Sequence, residues 1–348
     1  MRVLALTTQV PFVRGGAERL AEGLIRAIQQ AGHDAELVSI PFKWYPAEQI
    51  VDHMLMSRLM DLTESCGNKI DRVIGLKFPT YLVPHPNKVM WIVHQHRTAY
   101  DLWDSTYGDL IRSPNGSQVR QAIINADNHA FAECKKIYTI ADNVSKRLKR
   151  FNNLDSQPIY SPPQGADNFY CDTAADYLFF PSRLNPTKRQ HLVLEAMVYT
   201  KMPVRVIFAG KSDDEANGKS LQALMEKLNL RDRVEFLGEI SESEKVSRYA
   251  RSIGVVYPPL DEDYGYITLE AMLSCKPVIT CQDSGGSLEF VLHRQTGIIA
   301  EPTPQSLAAA MDELWDDRGL AKTLGQAGRD RYDHMDISWV NVAQKLLE

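Results

Sequence analysis

Short apolar runs alternate with amphipathic stretches along most of the chain. Val3 to Leu6 predicts a buried strand, followed by a loop from Thr7 to Gly16. Leu20, Leu24, Ile25 and Ile28 then recur at helical spacing, and Gly32 stops the helix. Ala35 to Ile40 is the next strand, which completes a βαβ opening of the kind that packs helices onto a parallel sheet. Further strands are predicted at Arg72 to Gly75, Val89 to Val93 and Lys136 to Ile140, the last leading into a polar helix from Asn143 to Phe151.

The rhythm breaks between about 152 and 175, where Pro158 to Gly165 reads as a Pro-rich linker. Strands are then expected at Tyr177–Phe180, Val204–Ala209, Val234–Leu237, Gly254–Tyr257, Pro277–Thr280 and Gly297–Ala300. Helices are expected near 188–199, 219–228, 242–251, 267–275 and 304–316. The pattern predicts an α/β protein with two Rossmann-like domains, 1–162 and 163–335. Ligands bind at the carboxyl ends of strands in such sheets, so the cleft between two facing halves is the expected site.

Composition narrows the field only a little. The 348 residues are 44% hydrophobic and 24% charged, globular values that argue against disorder. A net charge of −5 argues against a nucleic-acid partner. The five cysteines, Cys66, Cys134, Cys171, Cys275 and Cys281, form no CxxC or CxxH. Neither a disulfide framework nor a zinc site is expected, and the thiols read as reduced and cytosolic. The first residues lack a signal-peptide layout, and no run approaches the ~20 apolar residues of a membrane span. A cytoplasmic protein, at most peripheral to a membrane, is the expectation.

Three stretches could carry chemistry. Gly15-Gly16-Ala17-Glu18 lies after the first strand and opens a helix. Glycines there let the backbone approach a ligand, and a helix start favours an anion, although a plain tight turn also fits. It is not GxGxxG, so the dinucleotide fingerprint is missing. Arg183-Leu184-Asn185-Pro186-Thr187-Lys188 follows the first strand of the second half. Its two cations could converge on a diphosphate beside a helix start, or be solvated surface charges. The third runs from Asp261 to Met272, with Glu262 in a loop and Glu270 in the following helix. Gly265 permits a bend, so that the amides of Tyr266, Ile267 and Thr268 can face an anion. The carboxylates of Glu262 and Glu270 suit hydroxyls of a sugar nucleotide.

The context Glu-x-Tyr-Gly-x-x-x-x-Glu-Ala-Met resembles the E-x7-E motif of the retaining GT-B glycosyltransferases of family 4. Gly15-Gly16-Ala17-Glu18, Arg183…Lys188, Phe236-Leu237-Gly238, Gly285-Gly286-Ser287-Leu288-Glu289 and Ser338-Trp339 agree in the same order. The resemblance implies that Glu262 contacts the donor sugar and Glu270 the ribose. It puts Arg183 and Lys188 on the diphosphate, closes Gly15 and Gly16 over it, and places Glu239 at the nucleobase. A terminal helix, 336–348, is expected to return to the first domain. The family pattern also has a histidine at the end of a first-domain strand. His94 directly follows Trp91-Ile92-Val93, with His96 as competitor; a structural histidine or a two-histidine metal pair are the other readings. His96, Arg97 and Tyr100 are acceptor-side candidates. Tyr100, Trp103 and Tyr107 could stack on a sugar or simply pack.

The resemblance implies hexose transfer from a UDP- or GDP-linked sugar to a saccharide or lipid-linked acceptor, with retained configuration and a front-face mechanism. No metal or other cofactor is expected, and Asp261-Glu262-Asp263 is not read as a metal-binding D-x-D. Lys146-Arg147-Leu148-Lys149-Arg150 is a solvated helix face or a patch for anionic lipid, which would give peripheral membrane contact. The rivals are a sugar-nucleotide epimerase or phosphorylase on the same scaffold, an inactive sugar-nucleotide-binding protein and, more distantly, a nicotinamide dehydrogenase.

Overall fold

A computed structural model describes residues 1–12 and 15–348; positions 13 and 14, inside the expected loop from Thr7 to Gly16, lie outside the described residues. The chain divides into two compact units, Met1–Gln164 with Ile337–Glu348, and Gly165–Asp336.

The first unit runs β1 (Arg2–Gln9), α1 (Gly16–Gln30), β2 (Asp34–Pro41), α2 (Glu48–Leu59), the hairpin β3 (Glu64–Ser65) and β4 (Asn68–Lys69), β5 (Arg72–Lys77), β6 (Lys88–His94), α3 (Gly116–Ala132), β7 (Lys136–Thr139), α4 (Asp142–Asn152) and β8 (Gln157–Pro158). Its sheet has the order β2-β1-β5-β6-β7-β8. Every pairing in it is parallel. The predicted linker begins at Pro158, the last residue of the short edge strand β8, and the break between units comes after Gln164.

The second unit runs β9 (Leu178–Pro181), α5 (Gln190–Met197), β10 (Val206–Ala209), α6 (Glu215–Lys227), β11 (Val234–Phe236), α7 (Glu242–Arg251), β12 (Val255–Val256), α8 (Tyr266–Leu273), β13 (Val278–Cys281), β14 (Gly297–Ala300), α9 (Pro304–Asp316) and α10 (Arg318–His334). Its sheet is also parallel, in the order β11-β10-β9-β12-β13-β14. Helices cover both faces of such sheets, and β9, β10, β12 and β13 are accordingly buried along their whole length. The last helix, α11 (Trp339–Leu347), belongs to the first unit, where the Trp339 ring stands edge-on to Trp91 at 6.3 Å and Arg72 Nη1 donates to Leu346 O at 2.7 Å.

The expectation of five reduced thiols is corrected for two of them. Cys171 and Cys275 form a disulfide, 104 residues apart in sequence with Cα atoms 5.4 Å apart. It ties the entry of the second unit to the end of α8, and Lys276 Nζ donates to Asp172 O at 2.9 Å beside it. Pairing over such a separation leaves no local spacing to read. Cys66, Cys134 and Cys281 are free thiols. Among the described residues no helix is long and apolar enough to cross a membrane.

Candidate functional site

The second sheet has a topological switch point. From β9 the chain steps outward to β10 and β11, then returns to β12 on the opposite side of β9 and continues to β13 and β14. Loops leaving the carboxyl ends of strands part at such a point and leave a crevice there. Residues after β9, β12 and β13 meet at it. Leu260 N donates to Thr187 O (2.7 Å), Asp261 N to Asp283 O (2.9 Å), and Gly286 N to Glu262 O (2.7 Å). Arg189, nearly buried, grips Asp283 through both terminal nitrogens at 2.8 and 2.5 Å. The rim of the crevice is thus built from backbone bonds and one fork-shaped ion pair.

Lys188 and Glu262 meet at it. Asn185 Oδ1 accepts from Thr187 N (2.9 Å) and Thr187 Oγ1 (2.7 Å), and Pro186 opens a single 3₁₀ turn that aims Lys188 inward. Lys188 Nζ bonds Glu262 Oε2 directly and also donates to Tyr257 OH at 3.1 Å. Tyr257 OH donates to the same Glu262 oxygen at 2.9 Å. Burial and the Glu262 charge push the Tyr257 phenol well above its ordinary value, so it stays a donor. Arg183 pairs instead with Asp213 at 2.6 Å and its side chain is 44% exposed. The two cations expected on one spot each hold their own carboxylate, although the Arg183 charge is still felt at Tyr257.

Gly265 then starts α8. Its φ of 88° and ψ of 53° lie in the left-handed region that a side chain disfavours. Of the three amides expected to face an anion, Thr268 N is already engaged, donating to Gly265 O at 2.9 Å. Tyr266 and Ile267 occupy the first turn with it. Glu270 lies one turn on, its side chain 10% exposed, with Oε1 on Lys245 Nζ (2.9 Å) and Oε2 on Tyr249 OH (2.7 Å). Glu239 is exposed just past β11, the edge strand of this sheet.

In the first sheet the switch point lies between β1 and β5. Gly15 N donates to Glu18 Oε2 at 2.8 Å, and Lys77, the last residue of β5, donates to Glu18 Oε1 (3.2 Å) and Thr8 O (3.3 Å). Burial works upward on the Glu18 pKa, yet Lys77 and the Gly15 amide hold it below the ordinary value. Gly16 begins α1 directly beside this brace. His94 ends β6 in register with Lys77, with Nδ1 at 2.8 Å from Gln95 O. The His96 ring packs against Phe42 and Phe78, and burial pushes its pKa down to about 4. The two histidines thus occupy different surroundings, and Arg97 is held by Asp101 at 2.6 Å.

Tyr100 lies inside the first unit. It is 3% exposed, and its hydroxyl donates to Asp127 at 2.7 Å, where Tyr81 OH also donates at 3.0 Å. Trp103 is likewise nearly buried, under the Arg120 guanidinium. The basic run on α4 is not one patch: Arg147 is buried, Lys146 pairs with Asp142 (2.7 Å) and Lys149 with Asp155 (2.9 Å).

Two parallel α/β units, the second with a charged crevice at its switch point, define the GT-B class of fold. The sucrose-phosphate synthase of Thermosynechococcus elongatus superposes with a TM-score of 0.78 at 16% identity, covering 99% of this chain and 97% of that one. Anabaena HepE in complex with UDP gives 0.73 at 17% identity, covering 100% and 98%. The glycosyl transferases group 1 family matches residues 172–331, which lie within the second unit. Human alpha-1,3/1,6-mannosyltransferase ALG2 is 31% identical over 163 residues, 43% of this chain and 39% of that protein. The O-antigen chain mannosyltransferase C of Escherichia coli is 26% identical over 187 residues, 51% and 49%. The chain thus covers well under two thirds of the length of these curated relatives.

Sequence reasoning missed Lys77, Arg189, Lys245, Tyr249 and Tyr257. Lys245 and Tyr249 had a signal, since they lie four apart on one face of a helix that is otherwise mostly polar.

Proposed function

We propose that the protein is a retaining glycosyltransferase that moves a hexose from a UDP- or GDP-linked sugar to a hydroxyl of a glycan or lipid-linked saccharide, without a metal ion. The observation that carries this reading is the Lys188–Glu262 pair at the switch point, directly ahead of the α8 start and inside the stretch that matches the family. The two charges neutralise each other now. A donor diphosphate offers Lys188 a better partner, and Glu262 is then released to accept bonds from the sugar hydroxyls. Arg183 can leave the exposed Asp213 pair at little cost to join the phosphates.

Charge develops on the departing diphosphate as the C1–O bond breaks. Lys188, Arg183 and the amides of Tyr266 and Ile267 would stabilise it. The acceptor oxygen would bond C1 on the same face and give its proton to the leaving phosphate oxygen. The first unit would supply Gly15 and Gly16, held by Glu18, and His94. The enclosed, neutral His96 ring favours His94 as the histidine near the sugar. Glu239 would meet the base. The mannosyltransferase names of the relatives make GDP-mannose the first donor to try. Peripheral contact with the cytoplasmic membrane face belongs to the same reading when the acceptor is lipid-linked.

Sugar nucleotides incubated without acceptor test this. Slow release of hexose, its anomer followed by NMR as it forms, is expected to show retained configuration and to persist in EDTA. Glu262→Ala should mainly lower turnover and Glu270→Ala mainly raise the donor KM. Wild-type kinetics in both variants, or activity lost in EDTA and restored by manganese, contradicts the proposal.

A further inference from the structure

We infer that Lys245 and Tyr249 on α7 are positioning residues that set Glu270 to select a ribonucleotide over its 2′-deoxy counterpart. The inference rests on reading the α8 stretch as the donor site, and it assigns a role to two residues that the E-x7-E motif does not contain.

Glu270 is a nearly buried carboxylate in a helix whose other buried positions carry no charge: Thr268, Leu269, Ala271, Met272 and Leu273. A charge there is costly unless it is paired and hydrogen-bonded. The fold would be served as well by another apolar side chain, so the carboxylate calls for a function. Its two partners come from a single helix face and approach different oxygens, Lys245 on Oε1 and Tyr249 on Oε2. An ionised carboxylate has about four acceptor sites, two on each oxygen. With one taken on each, both oxygens keep acceptor capacity. That arrangement suits two adjacent hydroxyl donors, which is what the 2′,3′-diol of a ribose presents.

Both partners are themselves fixed. Phe169 and Phe179 stand edge-on to the Tyr249 ring at 5.7 and 5.2 Å, and the Lys245 ammonium lies 5.8 Å from the centre of the Phe169 ring. Lys245 is flanked by a second carboxylate, Glu242, at 2.9 Å. Burial works against the Lys245 charge, yet Glu270 and Glu242 outweigh it and raise its pKa. Burial and the Glu270 charge raise the Tyr249 phenol well above its ordinary value, so its proton stays available. The clamp keeps one geometry at neutral pH.

The test is the ratio of affinities for UDP and 2′-deoxy-UDP, and for GDP and 2′-deoxy-GDP, measured by calorimetry on the full chain. The wild type is expected to prefer the ribonucleotide by about tenfold or more, the scale of a charged hydrogen bond. Tyr249→Phe and Lys245→Met should shrink that ratio to about two- or threefold by weakening only the ribonucleotide, and Lys245→Arg should restore it. Thermal unfolding checks that each variant is folded. A purely structural role would leave the ratio at its wild-type value whatever happened to absolute affinity, and that result overturns the inference. Equal wild-type binding of both forms overturns it too, while leaving the donor reading intact. Failure of the wild type to bind either diphosphate overturns the donor reading itself, and the inference with it.

Discussion

Gly265→Ala is the most informative single change near the crevice. Gly265 sits at φ 88°, where a residue with a Cβ costs about 1–2 kcal/mol. A Cβ built there would lie 2.8 Å from Ser287 Oγ, so the buried serine must also turn, while its Cα at 3.4 Å is an ordinary contact. A total near 2 kcal/mol follows, which for a unit of this size lowers Tm by roughly 4–8 °C. The strain falls where α8 begins, so its first turn must shift. A helix start contributes up to about 2 kcal/mol to holding an anion in a favourable site, so nucleoside diphosphate should bind roughly three- to thirtyfold more weakly. Scanning calorimetry reads the first effect and titration calorimetry the second. Gly32→Ala is the control: φ is 83° but no atom lies within 4 Å of an added Cβ, so it should lower Tm and leave nucleotide affinity unchanged. A Gly265→Ala protein with lowered Tm and wild-type affinity would refute the claim that this helix start holds the phosphates.

Cys171→Ser should lose up to about 4–5 kcal/mol of stability, because the bond closes a loop of about a hundred residues, and a reducing agent should lower the wild-type Tm to match the variant. Glu133 accepts from Arg58 (2.8 Å) and from the fully buried Lys88 (3.1 Å); these bonds, Arg58 first, hold its carboxyl at about 2. A folded-state pKa below the unfolded value contributes stability that is present above about 4.5 and is lost as pH falls toward 2. Glu133→Gln should therefore lower Tm at neutral pH, with the gap to wild type closing across that acid window.

The strands and the local order of the second-half candidate residues were the legible parts of the sequence. Parallel strands buried on both faces are continuous apolar runs, and β10 and β13 read plainly as such. Glu262, Gly265 and Glu270 lie within nine residues, so one loop and one helix bring them to the crevice. Partners from distant segments were invisible: Lys77 meets Glu18 across 59 positions and Lys245 meets Glu270 across 25. Three helices were also missed. On α2, Val51, Leu55, Met56 and Leu59 are exposed, so its apolar positions do not form an inward stripe. On α3 the buried positions are sparse and include Asp127. On α10, Gly325 allows a close approach to the chain just after α8, since a Cβ there would lie 2.1 Å from Cys275 O.

The central claim is that the crevice holding Lys188 and Glu262 is a nucleoside diphosphate site. Titrating UDP and GDP into the wild type and Lys188→Ala tests it most directly. One of the two nucleotides should bind the wild type at a single site and bind Lys188→Ala at least about tenfold more weakly, the loss of one charged phosphate contact. Equal affinity in both proteins, or no binding of either nucleotide to the wild type, would contradict the account.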